Sequence, residues 1–228
     1  MTTYREWVPP VSLQPFIECF WEAHHEPEIL NHHYVLPDGC EDLLFRQQDA
    51  QLAVEVVGLM TQGKCYGVTC AESLWGIRFR GGQLQAFLGH RPQDYVNATV
   101  PLLAEYPTLA RQWQRSPLDA QLKSQVLQWL LQHGENLKPQ VINAALSQRQ
   151  LQRRHKACTG VSFQTLQSIW RFRKVWESLE ANPHQSLLPL ALRSGYSDQS
   201  HMSRDFKRLA NITPTTYVAF LQDAGGIS

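Results

Sequence analysis

The sequence predicts an α+β fold, in which a β-rich N-terminal barrel or sandwich with flanking helices precedes an all-α C-terminal domain. Short apolar runs separated by turn residues fill about the first eighty positions, which is typical of strands. After Gly81 and Gly82, apolar residues instead recur every three or four positions, which is typical of helices. The length of 228 residues fits two domains, and we expect them at residues 1–134 and 138–228.

The charge divides between the same two parts of the chain. The formal net charge is +1, but residues 138–228 contain 12 Lys and Arg against 5 Asp and Glu, whereas residues 1–137 contain 9 against 15. The C-terminal part is therefore basic and the N-terminal part acidic. A basic domain of this size is typical of proteins that bind phosphate backbones, although a merely solvated basic surface is the alternative.

Strands and then helices are predicted within the N-terminal part. The predicted strands are residues 20–22, 33–36, 42–45, 54–57 and 74–79. A turn is expected at Pro37, Asp38 and Gly39, because proline fixes φ and glycine permits a positive φ. The spacing of Leu84, Phe87 and Leu88 predicts a short helix, and residues 118–133 predict a longer amphipathic one that ends at Gly134. That longer helix packs either on its own domain or on a partner.

Residues 187–209 have the pattern of a helix-turn-helix unit. A short helix is predicted at 187–194, a bend at Gly195, and a second helix that begins after Ser197 or Asp198 as its N-cap. The apolar side of the second helix carries Met202, Phe206 and Leu209. Its other side is polar and basic and carries Ser200, Arg204, Lys207 and Arg208.

Residues 147–160 repeat this plan less clearly. Ser147 is the expected N-cap, Leu151 and Cys158 are expected to face inward with His155 between them, and residues 139–145 are the candidate preceding helix. The outer side carries Arg149, Gln152, Arg153 and Lys156. A linker helix is predicted at 163–179 and ends before Asn182 and Pro183; its expected packing residues are Leu166, Ile169, Trp170, Val175, Trp176 and Leu179.

The residues from Gly195 to Lys207, followed by Pro214 and Tyr217, closely resemble the second helix-turn-helix of AraC-type transcriptional regulators. The resemblance extends over about residues 139–221. In its first half it includes Ser147, Leu151, Arg153, Thr159 and Gly160, and it departs at His155, where the family usually has phenylalanine.

The resemblance implies a sequence-specific regulator whose two recognition helices enter major grooves about 34 Å apart. Arginine suits guanine and glutamine suits adenine, but Arg153 and Arg204 could instead form internal salt bridges or contact phosphates, and His201 could contact only backbone. By position, the implied DNA contacts are Arg149, Gln152, Arg153 and Lys156 in the first unit, and Gln199, Ser200, His201, Arg204 and Lys207 in the second.

Residues 37–45 and 76–80 resemble the N-terminal domain of one AraC-type subgroup, in which this domain is thought to sense a ligand or to dimerise. A small-molecule pocket lined by Trp7, Trp21, Tyr34 and Trp75 is one interpretation, and plain core packing of these aromatic residues is the other. The partners implied are double-stranded DNA, and as further candidates a small effector, RNA polymerase and a second copy of the chain.

We expect no catalytic residue, no cofactor and no metal, since no nucleophile motif or phosphate loop is present. Glu41 and Asp42 are interpreted as a turn and solvent feature. Neighbouring strand residues face opposite sides, so at most one of each adjacent pair in the cluster of four histidines could reach a common metal site. We therefore expect these histidines to be ordinary surface or part-buried side chains. The cluster consists of His24, His25, His32 and His33.

Five scattered cysteines favour buried, reduced thiols in a cytoplasmic protein; they are Cys19, Cys40, Cys65, Cys70 and Cys158. No apolar run approaches the roughly 18 residues of a membrane helix, and no signal-peptide pattern is expected at the start. Two other functions stay open: a metal- or ligand-binding barrel enzyme with a DNA-binding appendage, and a protein–protein adaptor whose DNA binding has degenerated.

Overall fold

The computed structural model describes residues 3–25, 31–68, 71–89, 91–139 and 147–223, without the side chains of 31–34, 66–68 and 223. It divides into two compact units. The first unit comprises Met1–His33, Cys40–Leu59 and Gly67–Val161, and the second comprises Tyr34–Gly39, Met60–Tyr66 and Ser162–Ser228. The domain boundary expected near residue 138 stays a prediction.

The strands form one six-stranded antiparallel sheet and a separate two-stranded pair. In chain order they are β1 Thr3–Trp7, β2 Ile17–His25, β3 Asn31–Val35, β4 Cys40–Gln48, β5 Gln51–Val57, β6 Lys64–Val68, β7 Glu72–Arg80 and β8 Thr99–Pro101. The sheet order is β1-β2-β7-β4-β5-β8, and β3 pairs with β6. The predicted α+β class and the five predicted strands are confirmed. The strands, which were expected in a barrel or sandwich, form this six-stranded sheet and the two-stranded pair.

One face of the large sheet packs against the helices of the first unit. The register places Leu43 opposite Ile77 and Phe45 opposite Trp75, and these side chains are buried. The ring of Trp113 lies 5.5 Å from that of Phe45, measured between centroids. The helices are α1 Leu84–Leu88, α2 Leu102–Glu105, α3 Pro107–Trp113 and α4 Ala120–Gly134, with a short 3-10 turn at Pro92–Asp94.

Helix α4 confirms the helix predicted at residues 118–133. The side chain of Asp119 caps it by accepting a hydrogen bond from the backbone N–H of Leu122 at 2.9 Å. Its apolar residues Leu122, Val126 and Leu130 are buried in the core of the first unit. Of the two alternatives for this face, the structure shows packing on its own domain.

The remaining helices are α5 Gln148–Thr159 in the first unit, and α6 Phe163–Ala181, α7 Leu187–Arg193, α8 Gln199–Ala210 and α9 Pro214–Asp223 in the second. The predicted helix at 139–145 lies outside the described residues apart from Pro139. Within residues 3–25, 31–68, 71–89, 91–139 and 147–223, no helix has both the length and the apolar character needed to span a membrane.

The core of the second unit forms around Phe206 of α8. The ring of Phe172 on α6 lies edge-on at 4.9 Å, and that of Tyr217 on α9 lies at 5.6 Å. The predicted packing set of the linker helix needs correction here, because it included Trp170 and omitted Phe172. Phe172 is fully buried, whereas Trp170 is 41% exposed, since α6 turns its Ile169 and Phe172 side toward α8.

Candidate nucleic-acid interface

The second helix-turn-helix has the local geometry that its sequence predicts. Helix α7 ends at Arg193, and Gly195 has a φ of +87°, a conformation that glycine adopts without steric cost. The backbone N–H of Tyr196 then donates to the carbonyl of Ala191 at 3.0 Å. Asp198 begins α8 as its N-cap and accepts from the backbone N–H of His201 at 2.7 Å.

Helix α8 separates a buried apolar face from an exposed polar face. Met202, Phe206 and Leu209 are buried. His201 differs from the other predicted contacts because it is half-buried; its ring packs edge-on against Tyr196 at 5.2 Å, and its Nδ1 lies 3.1 Å from Ser197 Oγ. The exposed predicted contacts on this helix are Gln199, Ser200, Arg204 and Lys207.

A polar network that the sequence analysis missed fixes α8 against α6. Asp205 accepts hydrogen bonds from Ser168 Oγ at 2.6 Å and from Arg208 Nη2 at 2.7 Å, and Arg171 Nη2 lies 3.9 Å away. Burial raises the pKa of the Asp205 carboxyl, but the hydrogen bonds from Ser168 and Arg208 outweigh it, so that pKa lies below its ordinary value. Arg208 therefore stabilises the packing of α8 on α6. The i, i+3 spacing of Asp205 and Arg208 is the feature of the sequence that could have indicated this ion pair.

Helix α5 is capped at both ends. Ser147 Oγ accepts from the backbone N–H of Gln150 at 3.4 Å, and Gln150 Oε1 accepts from the backbone N–H of Ser147 at 2.9 Å, which together form a capping box. Gly160 ends the helix with a φ of +76°. The side that sequence predicted to face outward is exposed, and it carries Arg149, Gln152, Arg153 and Lys156.

The buried side of α5 differs from the prediction. His155, at 8% exposure, and Thr159 are buried, whereas Leu151 and Cys158 are only half-buried. The hydroxyl of Thr159 donates to the carbonyl of His155 at 2.8 Å. Burial lowers the pKa of His155, because the charged imidazolium loses its hydration. The departure from the family pattern at His155 is thus a buried, titratable side chain.

Helix α5 also packs closely on the loops of the first unit. A Cβ atom on Gly160 would lie 2.8 Å from the Cα of Gln93, and one on Gly82 would lie 2.7 Å from the carbonyl oxygen of Cys158. Both glycines therefore permit a close approach that no other residue would allow. Arg153 and Lys156, with Gln93 and Gly160, line an open surface cleft of about 410 Å³ beside this contact.

The structure does not bring the predicted ligand-pocket tryptophans together. Trp75 is buried in the core, with its ring stacked 6.3 Å from that of Phe20. Trp21 lies on the other face of the sheet over Gly76, and its Nε1 donates to Asp42 at 2.9 Å. Trp7 is partly exposed beside Phe20. The side chain of Tyr34 is not among those that the structure describes.

Two further interpretations of the N-terminal part need correction. Glu41 is buried rather than solvent-facing, because one of its carboxylate oxygens accepts from the backbone N–H of Gly82 at 3.0 Å. Cys65 is exposed rather than buried, whereas Cys19 and Cys40 are buried as expected, and Cys70 lies outside the described residues. Burial raises the pKa of the Cys19 thiol to about 12.

Two members of the histidine cluster, His24 and His25, lie at the end of β2. Nδ1 of His24 lies 2.9 Å from Ser73 Oγ, and His25 is buried with its Nε2 4.0 Å from Glu72. The side chains of His32 and His33 are not among those that the structure describes. Among the side chains that the structure describes, no group of three or more His, Cys, Asp or Glu could hold a metal ion.

Two family models match the chain. One is described as a domain of unknown function, DUF6597, and matches residues 5–101; the other is described as a helix-turn-helix domain and matches residues 142–219. No curated protein sequence matches the chain significantly.

Solved structures of ToxT from Vibrio cholerae show a distant likeness. One is 9% identical with a TM-score of 0.39, and the match covers 96% of this chain and 97% of that one. Another, bound to (E)-4-(8-methylnaphthalen-1-yl)but-3-enoic acid, is 10% identical with a TM-score of 0.41 and coverages of 97% and 98%.

The helix-turn-helix match covers α5 to α9 apart from the last residues of α9, and it agrees with the capped geometry of α7 and α8. The N-terminal match covers the strands of the large sheet apart from the first two residues of β1. The chain is therefore a DNA-binding transcription regulator with a C-terminal helix-turn-helix domain, and its N-terminal part matches the DUF6597 model.

Proposed function

We propose that this regulator recognises a specific DNA site by placing α5 and α8 in two successive major grooves. The observation that carries the proposal is the exposed polar face of α8, which lies opposite a buried apolar stripe. A recognition helix needs this arrangement, because one side must fix it to its domain while the other presents donors and acceptors to base edges. The exposed basic face of α5 supports a second contact.

The residues divide into base-reading and backbone-contacting groups. On α8, Gln199, Ser200 and Arg204 lie in its first two turns and are exposed, so they are the base readers, with Lys207 as a phosphate contact. His201 has a backbone-contacting role, because its ring is already packed against Tyr196. On α5 the DNA contacts are Arg149, Gln152, Arg153 and Lys156.

The N-terminal domain regulates this binding rather than catalysing a reaction. Its partner is a small effector molecule or a second copy of the chain, which would place four recognition helices on one site. RNA polymerase is the expected partner at the promoter. The proposed location is the cytoplasm, where a regulator of this class meets its DNA.

Selection of bound duplexes from random DNA by the full chain tests the proposal. We expect a site bound at least ~10³-fold more tightly than random DNA, with affinity falling steeply as salt rises. Weak and salt-insensitive binding would support the adaptor instead. Stoichiometric metal in protein purified without an affinity tag would support the enzyme with a DNA-binding appendage.

Arg204→Ala is expected to weaken binding to the selected site by ~1–3 kcal/mol and to relax the preference at one base pair. The reason is that an exposed arginine on the first turns of α8 can donate two parallel hydrogen bonds to guanine. Fluorescence anisotropy on a set of single-base variants of the site measures both effects. Arg115→Ala, which removes another exposed arginine outside the helix-turn-helix domain, is the control. A uniform loss across all sites would make Arg204 a phosphate contact.

His155→Phe is expected to remove part of the acid sensitivity of the fold. Because burial lowers the pKa of His155 in the folded state, the unfolded chain binds a proton more readily than the folded chain. The free energy of unfolding of the wild type should therefore fall as the pH drops below about 6.5. Urea unfolding between pH 7.5 and pH 5 should give a smaller decrease for His155→Phe than for the wild type or for the exposed-site control His184→Phe. Equal slopes in all three would contradict the assignment.

A further inference from the structure

The C-terminal end of recognition helix α8 is held by a segment from the first third of the chain. Gly63 lies in the connection between β5 and β6, and its backbone N–H donates to the carbonyl oxygen of Leu209. Its own carbonyl oxygen accepts a hydrogen bond from Asn211 Nδ2 at 2.9 Å. Asn211 is the C-cap residue of α8, with a φ of +64°. All of these residues belong to the second unit.

This contact completes the end of the helix. The last four carbonyl groups of an α-helix have no partner within it, and Gly63 supplies one to Leu209. The fit is close: a Cβ atom on Gly63 would lie 3.2 Å from the carbonyl oxygen of Leu209, 3.3 Å from the Cα of Ala210 and 3.3 Å from Leu36 Cδ2. Glycine thus lets the connection approach α8 closely enough for its N–H to donate to Leu209 and its carbonyl to accept from the Asn211 side chain.

The other end of the same connection is fixed within the first unit. The backbone N–H of Gly58 donates to the carbonyl of Ala98 at 3.0 Å, and the carbonyl of Leu59 accepts from Asn97 at 3.0 Å. A Cβ atom on Gly58 would lie only 1.9 Å from the carbonyl oxygen of Tyr95. The connection follows β5 directly, and a chain extends by at most about 3.3–3.6 Å per residue. Gly63 follows Gly58 by five positions, so this connection is short.

A second connection makes a similar contact with α6. The carbonyl oxygen of Asp38, which lies between β3 and β4, accepts from Arg173 Nη1 at 3.4 Å. A Cβ atom on the neighbouring Gly39 would lie 3.1 Å from Trp170 Nε1. Two connections from the N-terminal part of the sequence, β5–β6 and β3–β4, thus contact α8 and α6.

We propose that Gly63 and Asn211 are positioning residues for the DNA-reading surface, through which the β5–β6 connection sets the position of α8. DNA affinity then depends on a segment that lies outside the helix-turn-helix domain. The proposal depends on the proposed function of α8 as a recognition helix.

Two substitutions in the full chain test it. Asn211→Gly keeps the left-handed conformation of the helix end, since glycine favours it, and removes only the side-chain amide that binds Gly63. Gly63→Ala crowds the contact from the other side. Asp49→Gly, at an exposed turn residue with a φ of +51° between β4 and β5, is the matched control. The probe is the duplex selected by the wild type, with circular dichroism at the assay temperature to check that each variant is folded.

We expect Asn211→Gly and Gly63→Ala to weaken binding about three- to tenfold, with the loss of base preference confined to the positions that Arg204→Ala affects. Asp49→Gly should bind like the wild type. Unchanged affinity in both variants, or an equal loss of preference at the positions that Arg153→Ala affects, would overturn the inference and leave the proposed function intact. A wild type without a preferred site would overturn the proposed function itself.

Discussion

Phe206→Ala is expected to destabilise the helical second unit by ~3–5 kcal/mol and to abolish site-specific DNA binding at 37 °C. Phe206 is 1% exposed and contacts Phe172 on α6 and Tyr217 on α9. Phe206 is thus a side chain of α8 that packs against two other helices of the unit. Because whole domains are stable by only about 5–15 kcal/mol, a loss of this size leaves little folded unit to bind DNA.

Urea unfolding followed by far-ultraviolet circular dichroism measures the stability, and a gel shift on the selected duplex measures binding. Lys207→Ala is the matched control, because Lys207 is the exposed neighbour of Phe206 on the same helix. It should change the free energy of unfolding by no more than about 0.5 kcal/mol while weakening DNA binding. A loss below about 1 kcal/mol in Phe206→Ala would contradict the assigned core.

Trp113→Ala is expected to cost the first unit ~3–5 kcal/mol. Trp113 is fully buried, and its ring lies between that of Phe45 on β4, at 5.5 Å, and that of Trp129 on α4, at 5.3 Å. It therefore joins the sheet to two helices, and its removal leaves a large apolar cavity. Loss of the near-ultraviolet circular dichroism signal together with a lower urea midpoint measures the effect.

Leu103→Ala, on α2, is the control for Trp113→Ala because Leu103 is 42% exposed. It should leave the urea midpoint close to that of the wild type. If both variants lost the same stability, the packing of Trp113 between the sheet and α4 would not be what stabilises this unit.

Periodicity and capping were sufficient to predict α8, because Met202, Phe206 and Leu209 recur at helical spacing after a strong N-cap. The same local signals predicted α4 and five strands. They missed three strands: β6 of the two-stranded pair, β1, which is an edge strand with mostly exposed side chains, and β8, which is three residues long and contains Pro101. Such strands carry little apolar alternation, because one or both of their sides face solvent.

Contacts between residues far apart in sequence could not be predicted. Glu41 is buried because the backbone of Gly82, 41 positions later, supplies its hydrogen bond. The inner side of α5 is set by its contact at Gly82 and Gln93, which brings His155 rather than Leu151 into the interior. Gly63 approaches α8 from a position 148 residues before Asn211, a separation that leaves no local pattern.

The central claim is that α5 and α8 each contact one of two successive major grooves. Hydroxyl-radical footprinting of the full chain on its selected duplex tests it directly, with Arg153→Ala and Arg204→Ala as the variants. The account predicts two protected patches about 10–10.5 base pairs apart on one face of the duplex, with Arg153→Ala weakening one patch and Arg204→Ala the other. A single protected patch, or the same patch weakened by both substitutions, would contradict it.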